Sequence, residues 1–181
     1  MKRFTKKEST KPLLHLIRND MIEINELSKK YAGEIILDLP ELSIPKGQCF
    51  GLVGNNGAGK TTFFSLLLDL IESSSGTLKI NSVNVQKSEA WKPFTAAFID
   101  ESYLIGYLTV EEYYYFLGNL RGESKEAIDD WVQGFETFFN GEILGQKKYL
   151  RDLSKGNQKK AGIVGTFIGK PALVILDEPL Q

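Results

Sequence analysis

The chain has 181 residues, a length that suits one domain with room for a small attached lobe. Hydrophobic residues make up 42% of the sequence and charged residues 25%, which excludes a disordered or fibrous chain. The net charge of −1 gives no overall field for binding nucleic acid or anionic lipid, and no apolar run reaches the roughly 18 residues that a membrane span needs.

Two scarce residue types narrow the chemistry further. Cys49 is the single cysteine, so no internal disulfide can form, which suits a reducing compartment. His15 is the single histidine, so any mechanism that needs a histidine deep in the chain is excluded.

Residues 1–20 differ in charge from the rest, with six basic residues against two acidic ones. Their apolar pairs, residues 13–14 and 16–17, are too short for the core of a signal peptide. We interpret residues 1–20 as a basic extension, with Met21 as the natural start. Contact of this extension with an acidic lipid surface stays open as the alternative.

The first half of the remaining chain has the patterns of strands. Two apolar stretches, around 22–27 and 35–44, predict strands, and the second ends at a Pro-Lys-Gly turn. The nearly all-apolar run 49–53 predicts a strand buried on both faces, as in parallel sheets. After a glycine-rich loop comes a helix whose apolar residues lie on all sides, which predicts an interior position, and residues 77–85 predict a further strand or hairpin.

The second half has the patterns of helices. We predict helices over 110–120, capped by Thr109, over 125–139 and over about 157–168. Gly169 and Pro171 end the last helix. The apolar run 172–176 predicts a second strand buried on both faces.

The glycine-rich loop has the complete pattern G-x-x-x-x-G-K-[ST] over Gly54–Thr61, between a predicted strand and a predicted helix. Its glycines let successive backbone N–H groups point inward at an anion, and the helix that begins at Lys60 aims its positive end at the same place. Lys60 supplies a charge for the phosphates and Thr61 a hydroxyl for Mg²⁺. The predicted nucleotide-binding residues of this loop are Gly54, Asn55, Asn56, Gly57, Ala58, Gly59, Lys60, Thr61 and Thr62.

A second acidic motif follows the last predicted strand. Asp177 stands at the carboxyl end of that strand, which is where parallel sheets bind ligands, and we expect it to bind Mg²⁺ together with Thr61. Glu178 then lies beside the terminal phosphate, where it can orient or deprotonate a water molecule.

The sequence resembles the ATP-binding subunits of ATP-binding-cassette (ABC) transporters. Residues 153–158, Leu-Ser-Lys-Gly-Asn-Gln, resemble the signature of this family, usually Leu-Ser-Gly-Gly-Gln, and begin 24 residues ahead of Asp177. Tyr31 matches the aromatic residue that stacks on adenine in the family. Residues 98–101 and 108–111 resemble the segment that leads into the family's helical lobe.

The resemblance implies an α/β fold: a P-loop NTPase (RecA-like) core with an antiparallel β subdomain and an inserted helical subdomain, incomplete at the C-terminus. It implies a partial ABC ATPase domain over 21–181, with the helical subdomain at about 102–165. The implied cofactors are ATP and Mg²⁺. Glu178 is the implied catalytic residue, and Ser154, Lys155, Gly156 and Asn157 form the signature that closes on ATP bound to a second subunit.

Three departures from the family pattern limit this comparison. Lys155 and Asn157 replace two signature residues. Asp100 stands where a glutamine is expected, and we treat it as a third candidate ligand of Mg²⁺. The family's D-loop and switch histidine would follow Gln181, so we expect the 181-residue chain to hydrolyse ATP far more slowly than is typical of the family.

The function that the resemblance implies is energy coupling in transport. Two ATPase subunits, identical or different, dimerise on ATP and drive a separate transmembrane permease, so the chain is expected in the cytoplasm at the inner face of the cell membrane. The signature sequence favours an exporter, and no nucleic acid partner is expected. The alternative is an ABC-type ATPase that moves no solute, or an ATP-binding regulator.

Overall fold

A computed structural model of the chain describes residues 19–55 and 57–179. The predicted extension therefore lies almost entirely outside the described residues, as does Asn56 of the loop. The strands of the described part are β1 (Asp20–Tyr31), β2 (Glu34–Pro45), β3 (Ser75–Ile80), β4 (Val83–Asn84), β5 (Thr95–Phe98) and β6 (Leu173–Leu176). Its helices are α1 (Lys60–Leu67), α2 (Val110–Leu120), α3 (Lys125–Gln133), α4 (Glu136–Phe139) and α5 (Lys155–Thr166).

Four strands form an antiparallel sheet in the order β2-β1-β3-β4. Ala32 and Gly33 join β1 to β2 and both have positive φ, 49° and 87°, which is the backbone that a tight hairpin with the normal strand twist requires. The two strands predicted from the apolar stretches are confirmed, and residues 77–85 form the β3–β4 hairpin.

The strands β5 and β6 pair in parallel, with Thr95 opposite Leu173 and Phe98 opposite Leu176. The carboxyl ends of both strands therefore meet at one edge. The strand predicted at 172–176 is confirmed as β6, but its predicted burial on both faces is wrong, since only Ile175 of β6 is buried. Within the described residues β6 has a neighbouring strand on one side only, so its other edge has no strand partner among them.

The strand predicted over residues 49–53 is wrong. This segment is irregular, and Phe50, Leu52 and Val53 are 47%, 37% and 95% exposed. A strand needs partners for its N–H and C=O groups, and among the described residues no strand pairs with this segment. The apolar run indicates a preference for burial, but it does not supply the neighbour.

Helix α1 begins at Lys60, as predicted, but it is not buried on all sides. Phe63, Leu66 and Leu67 are buried on one face, whereas Thr61 is exposed. The buried face packs on the antiparallel sheet and on Ile175 of β6, and together they form the first hydrophobic core.

The helices α2 to α5 surround a second hydrophobic core. Its largest fully buried side chains include Tyr114, Phe139 and Leu150. The predicted cap of α2 is confirmed, because Thr109 accepts a hydrogen bond from the backbone of Glu112 and the Glu112 carboxylate accepts one in return. None of the helices in the described ranges is long and apolar enough to cross a membrane.

The helix predicted over 125–139 is in fact two helices. It stops at Gln133 and resumes as α4 at Glu136. Gly134 lies at the break, and glycine is a poor helix former. At this break the ring of Phe135 packs against the ring of Trp131, and the two ring centroids lie 4.5 Å apart.

Candidate phosphate-binding site

The loop before α1 has the backbone of an anion cradle. Gly57 and Gly59 have φ of 82° and 87°, a conformation that only glycine adopts without strain. A Cβ atom on Gly59 would lie 3.1 Å from the carbonyl oxygen of Ile36, so β2 presses directly on the end of the loop. The amide of Ala58 closes the loop by donating to the carbonyl of Asn55, at 3.0 Å.

The Lys60 side chain folds back over this loop. Its ammonium donates to the carbonyl of Gly54 at 2.8 Å and to that of Asn55 at 3.3 Å. It also lies 4.0 Å from a carboxylate oxygen of Glu178. The charge therefore stands at the mouth of the cradle, between the loop and the acidic motif.

The hydroxyl of Thr61 and the carboxylate of Asp177 meet at the same place, although 116 residues separate them in sequence. The hydroxyl donates to the carboxylate at 3.2 Å. Asp177 is buried, and its backbone N–H donates to the carbonyl of Phe98 at 3.0 Å, which extends the β5–β6 pairing by one residue. A hydroxyl and a carboxylate are hard oxygen ligands that fit Mg²⁺, with phosphate oxygens and water completing the shell.

Glu178 follows Asp177 in a strained backbone conformation. Its φ is 44°, in a region that costs a residue with a side chain about 1 kcal/mol or more. Its side chain is 44% exposed, so it stands at the open side of the cradle. An exposed carboxylate can orient or deprotonate a water molecule, and the catalytic role of Glu178 stays a prediction.

Asp100 follows β5 at the same edge but makes a different contact. Its carboxylate accepts a hydrogen bond from the backbone N–H of Ser102 at 2.6 Å and caps a short 3₁₀ turn. It also lines a groove of about 310 Å³ together with Glu101, Arg151 and Lys155. The hydrogen bond to Ser102 does not support the binding of Mg²⁺ by Asp100. That binding stays a prediction.

Tyr31 lies at the end of β1, beside the hairpin turn. Its side chain is 51% exposed, and the ammonium of Lys29 lies over one face of the ring, 4.7 Å from the centroid. The β1–β2 hairpin that carries Tyr31 also touches the loop, because a Cβ atom on Gly59 would lie 3.1 Å from the carbonyl oxygen of Ile36 in β2. Stacking of adenine on Tyr31 stays a prediction.

The signature residues form the first turn of α5. Ser154 is its N-cap and accepts from the backbone N–H of Asn157 at 3.2 Å. Lys155 and Gly156 are exposed, and no atom lies within 4 Å of a Cβ placed on Gly156. A helix start with exposed N–H groups can bind an anion, and the contact of these residues with ATP of a second subunit stays a prediction.

Three contacts escaped the sequence reasoning. Lys29 stands two residues before Tyr31 in a strand, and the two-residue period would have indicated that they share a face. Glu142 accepts from the side-chain amide of Asn157 at 3.3 Å, and Lys159 donates to the carbonyl of Glu178 at 3.2 Å. These last two depend on tertiary packing and leave no signal in the sequence.

The class of the protein follows from the features just described. These are the strand ends, the glycine cradle, Lys60 and the Thr61–Asp177 pair. They are the parts of a P-loop nucleotide-binding fold. The family model described as ABC transporter matches residues 37–181. The chain therefore belongs to the ABC transporter family.

Known proteins of this family are similar over most of the chain. It is 34% identical over 168 residues to the ABC transporter ATP-binding protein YtrB of Bacillus subtilis, covering 88% of this chain and 52% of YtrB. It is 29% identical over 172 residues to the bacitracin transport ATP-binding protein BcrA of Enterococcus faecalis, covering 92% and 53% respectively. The chain thus spans about half the length of these curated relatives.

Solved structures show the same fold. The structure of an ATP-binding subunit of an ABC transporter superposes with a TM-score of 0.74 at 26% identity, covering 88% of this chain and 67% of that one. The antiparallel sheet, the parallel pair and the helical core therefore belong to the mixed α/β fold of ABC nucleotide-binding domains.

Proposed function

We propose that this chain is the ATP-binding part of an ABC transporter. It binds ATP with Mg²⁺, and binding and hydrolysis drive transport by a separate transmembrane permease. The observation that carries the proposal is the 3.2 Å contact between the Thr61 hydroxyl and the Asp177 carboxylate. This contact unites the two halves of a nucleotide site at the mouth of the glycine cradle.

Each residue of the site has a part in this proposal. The loop amides and Lys60 bind the phosphates, and Tyr31 stacks on adenine. Thr61 and Asp177 hold Mg²⁺, which neutralises charge on the phosphates when it is bound. Glu178 orients the attacking water, and its exposed side chain and distance of 4.0 Å from Lys60 support this role.

Transport requires partners beyond this chain. We propose that two ATPase subunits dimerise on ATP, with Ser154 and Gly156 of one subunit closing on the nucleotide of the other. The exposure of this helix start supports the proposal. The signature sequence favours an exporter, and the similar protein BcrA is named for bacitracin transport. The site of action would be the cytoplasmic face of the cell membrane.

The first experiment is a calorimetric titration with Mg²⁺-ATP. The substitution Lys60→Ala removes a charge-assisted contact, and we expect affinity to fall about tenfold or more. Lys87→Ala is the matched control, because it removes an exposed lysine after β4. Equal affinity of the Lys60→Ala variant and the wild type would refute the nucleotide site.

A second experiment separates transport from other ABC functions. The chain is expressed with an affinity tag in its native cell, and membranes are solubilised in detergent. A transporter subunit co-purifies with an integral membrane protein. Recovery without any membrane protein favours the alternative, an ATPase or ATP-binding regulator that moves no solute.

A further inference from the structure

The ammonium of Lys29 is held between two groups at the end of β1. It lies over the ring of Tyr31, 4.7 Å from the centroid, and it donates a hydrogen bond to the carbonyl of Glu72 at 2.7 Å. A cation over an aromatic face is attracted by the electrons of the ring. The Lys29 ammonium therefore contacts both the ring of Tyr31 and the backbone of residue 72.

Residue 72 belongs to the segment that leaves the phosphate-binding helix. Helix α1 runs from Lys60 to Leu67, and the chain returns from it to β3 through residues 68–74. A second hydrogen bond joins the same places, because the backbone N–H of Lys30 donates to the Ser74 hydroxyl at 2.9 Å. The end of β1 is thus fastened to the segment that follows the helix of the cradle.

The ring of Tyr31 is in contact with a cation but is not buried. Lys29 occupies one face, and the side chain as a whole is still 51% exposed. An exposed tyrosine at a hairpin end would otherwise change rotamer freely, and fixing a side chain on binding lowers affinity. The contact with Lys29 restrains the ring, and about half of the side chain stays exposed and accessible to a flat ligand.

We propose that Lys29 is a positioning residue for the base of the nucleotide. This inference rests on the proposed function, since it takes the adenine of ATP as the flat ligand of Tyr31. Lys29 acts through the ring and not on the phosphates. It therefore contributes to the affinity for ATP and not to the affinity for inorganic tripolyphosphate.

The test compares Mg²⁺-ATP with Mg²⁺-tripolyphosphate in calorimetric titrations of the wild type and five variants. Lys29→Met removes the cation but keeps an unbranched stem, and we expect ATP affinity to fall about two- to fivefold with tripolyphosphate affinity unchanged. Lys29→Arg keeps the cation and should restore ATP affinity. Lys30→Met is the control for general charge, and it should not separate the two ligands.

The double variant Lys29→Met/Tyr31→Ala, compared with Tyr31→Ala alone, completes the cycle. In the absence of the ring, removal of the lysine should no longer change ATP affinity. An equal loss for ATP and tripolyphosphate, an equal loss with and without Tyr31, or no loss in Lys29→Met would each overturn the proposal. A wild-type chain that binds neither ligand would overturn the proposed function and, with it, the role of Lys29.

Discussion

Two glycines of α5 offer a direct test of how this helix packs on the parallel strands. A Cβ atom on Gly162 would lie 2.2 Å from the ring of Phe98, whereas a Cβ atom on Gly156 would meet nothing within 4 Å. Phe98 is only 4% exposed, so its ring has little room to move. The substitutions Gly162→Ala and Gly156→Ala therefore make the same chemical change at two positions of one helix. Only the position of Gly162 is tightly packed.

The expected magnitudes follow from two opposing effects. Alanine stabilises a helix interior by up to about 1 kcal/mol relative to glycine, and this gain is smaller at Gly156, which lies in the first turn of α5. Overpacking of a buried site costs about 1–3 kcal/mol, and only Gly162→Ala pays it. Overpacking therefore dominates the difference between the variants, and we expect Gly162→Ala to be the less stable by about 2 kcal/mol.

Thermal unfolding followed by circular dichroism measures this difference. For a domain of this size about 1 kcal/mol corresponds to about 2–4 °C in Tm, so the two variants should melt about 4–8 °C apart. Gly156→Ala should melt at or slightly above the wild type. If Gly162→Ala melts as high as Gly156→Ala, then α5 is not in close contact with Phe98 and the packing described above is wrong.

Two further predictions concern the helical core. Thr109→Ala removes the cap of α2 and should lower the free energy of unfolding by about 1 kcal/mol. Thr109→Ser keeps a capping hydroxyl and should retain most of the wild-type stability. Urea unfolding of both variants measures the difference. Burial raises the pKa of Tyr113 to about 12, from an ordinary value of 10.0. The unfolded chain therefore loses this proton at a lower pH than the folded chain, and the free energy of unfolding should fall as the pH rises from 10 to 12. The fall should be smaller in Tyr113→Phe, and an identical pH profile would contradict the burial of the hydroxyl.

The phosphate cradle could be predicted from sequence because it is local. Its glycines, Lys60 and the start of α1 are consecutive, and their backbone geometry follows from residue type. The meeting of Thr61 with Asp177 was also predictable, because a carboxylate after a parallel strand lies at the edge where ligands bind. The orientation of Asp100 was not predictable. Its carboxylate accepts a hydrogen bond from the backbone N–H two residues further along the chain, a local interaction that asparagine and aspartate often make.

The errors in the fold have a common physical origin. Residues 49–53 and β6 have the apolar runs of buried strands, yet burial depends on neighbours that a run cannot specify. Strand β5 was missed for the opposite reason, because Thr95–Phe98 is short and half of it is alanine. Its pairing with β6, more than seventy residues away, stabilises it. The division into an extension at 1–20 and a helical subdomain at about 102–165 stays a prediction.

The two separate hydrophobic cores have a consequence for how the molecule opens. Cooperative units of a protein often coincide with contiguous packed clusters, and each can open without the other. We expect amide hydrogens of β1 and β3 to exchange with solvent at a different rate from those of α2 and α5. Ligand bound in the cradle should slow amide exchange more in the sheet core than in the helical core. Exchange in the helical core would then serve as the internal reference for the effect of the ligand.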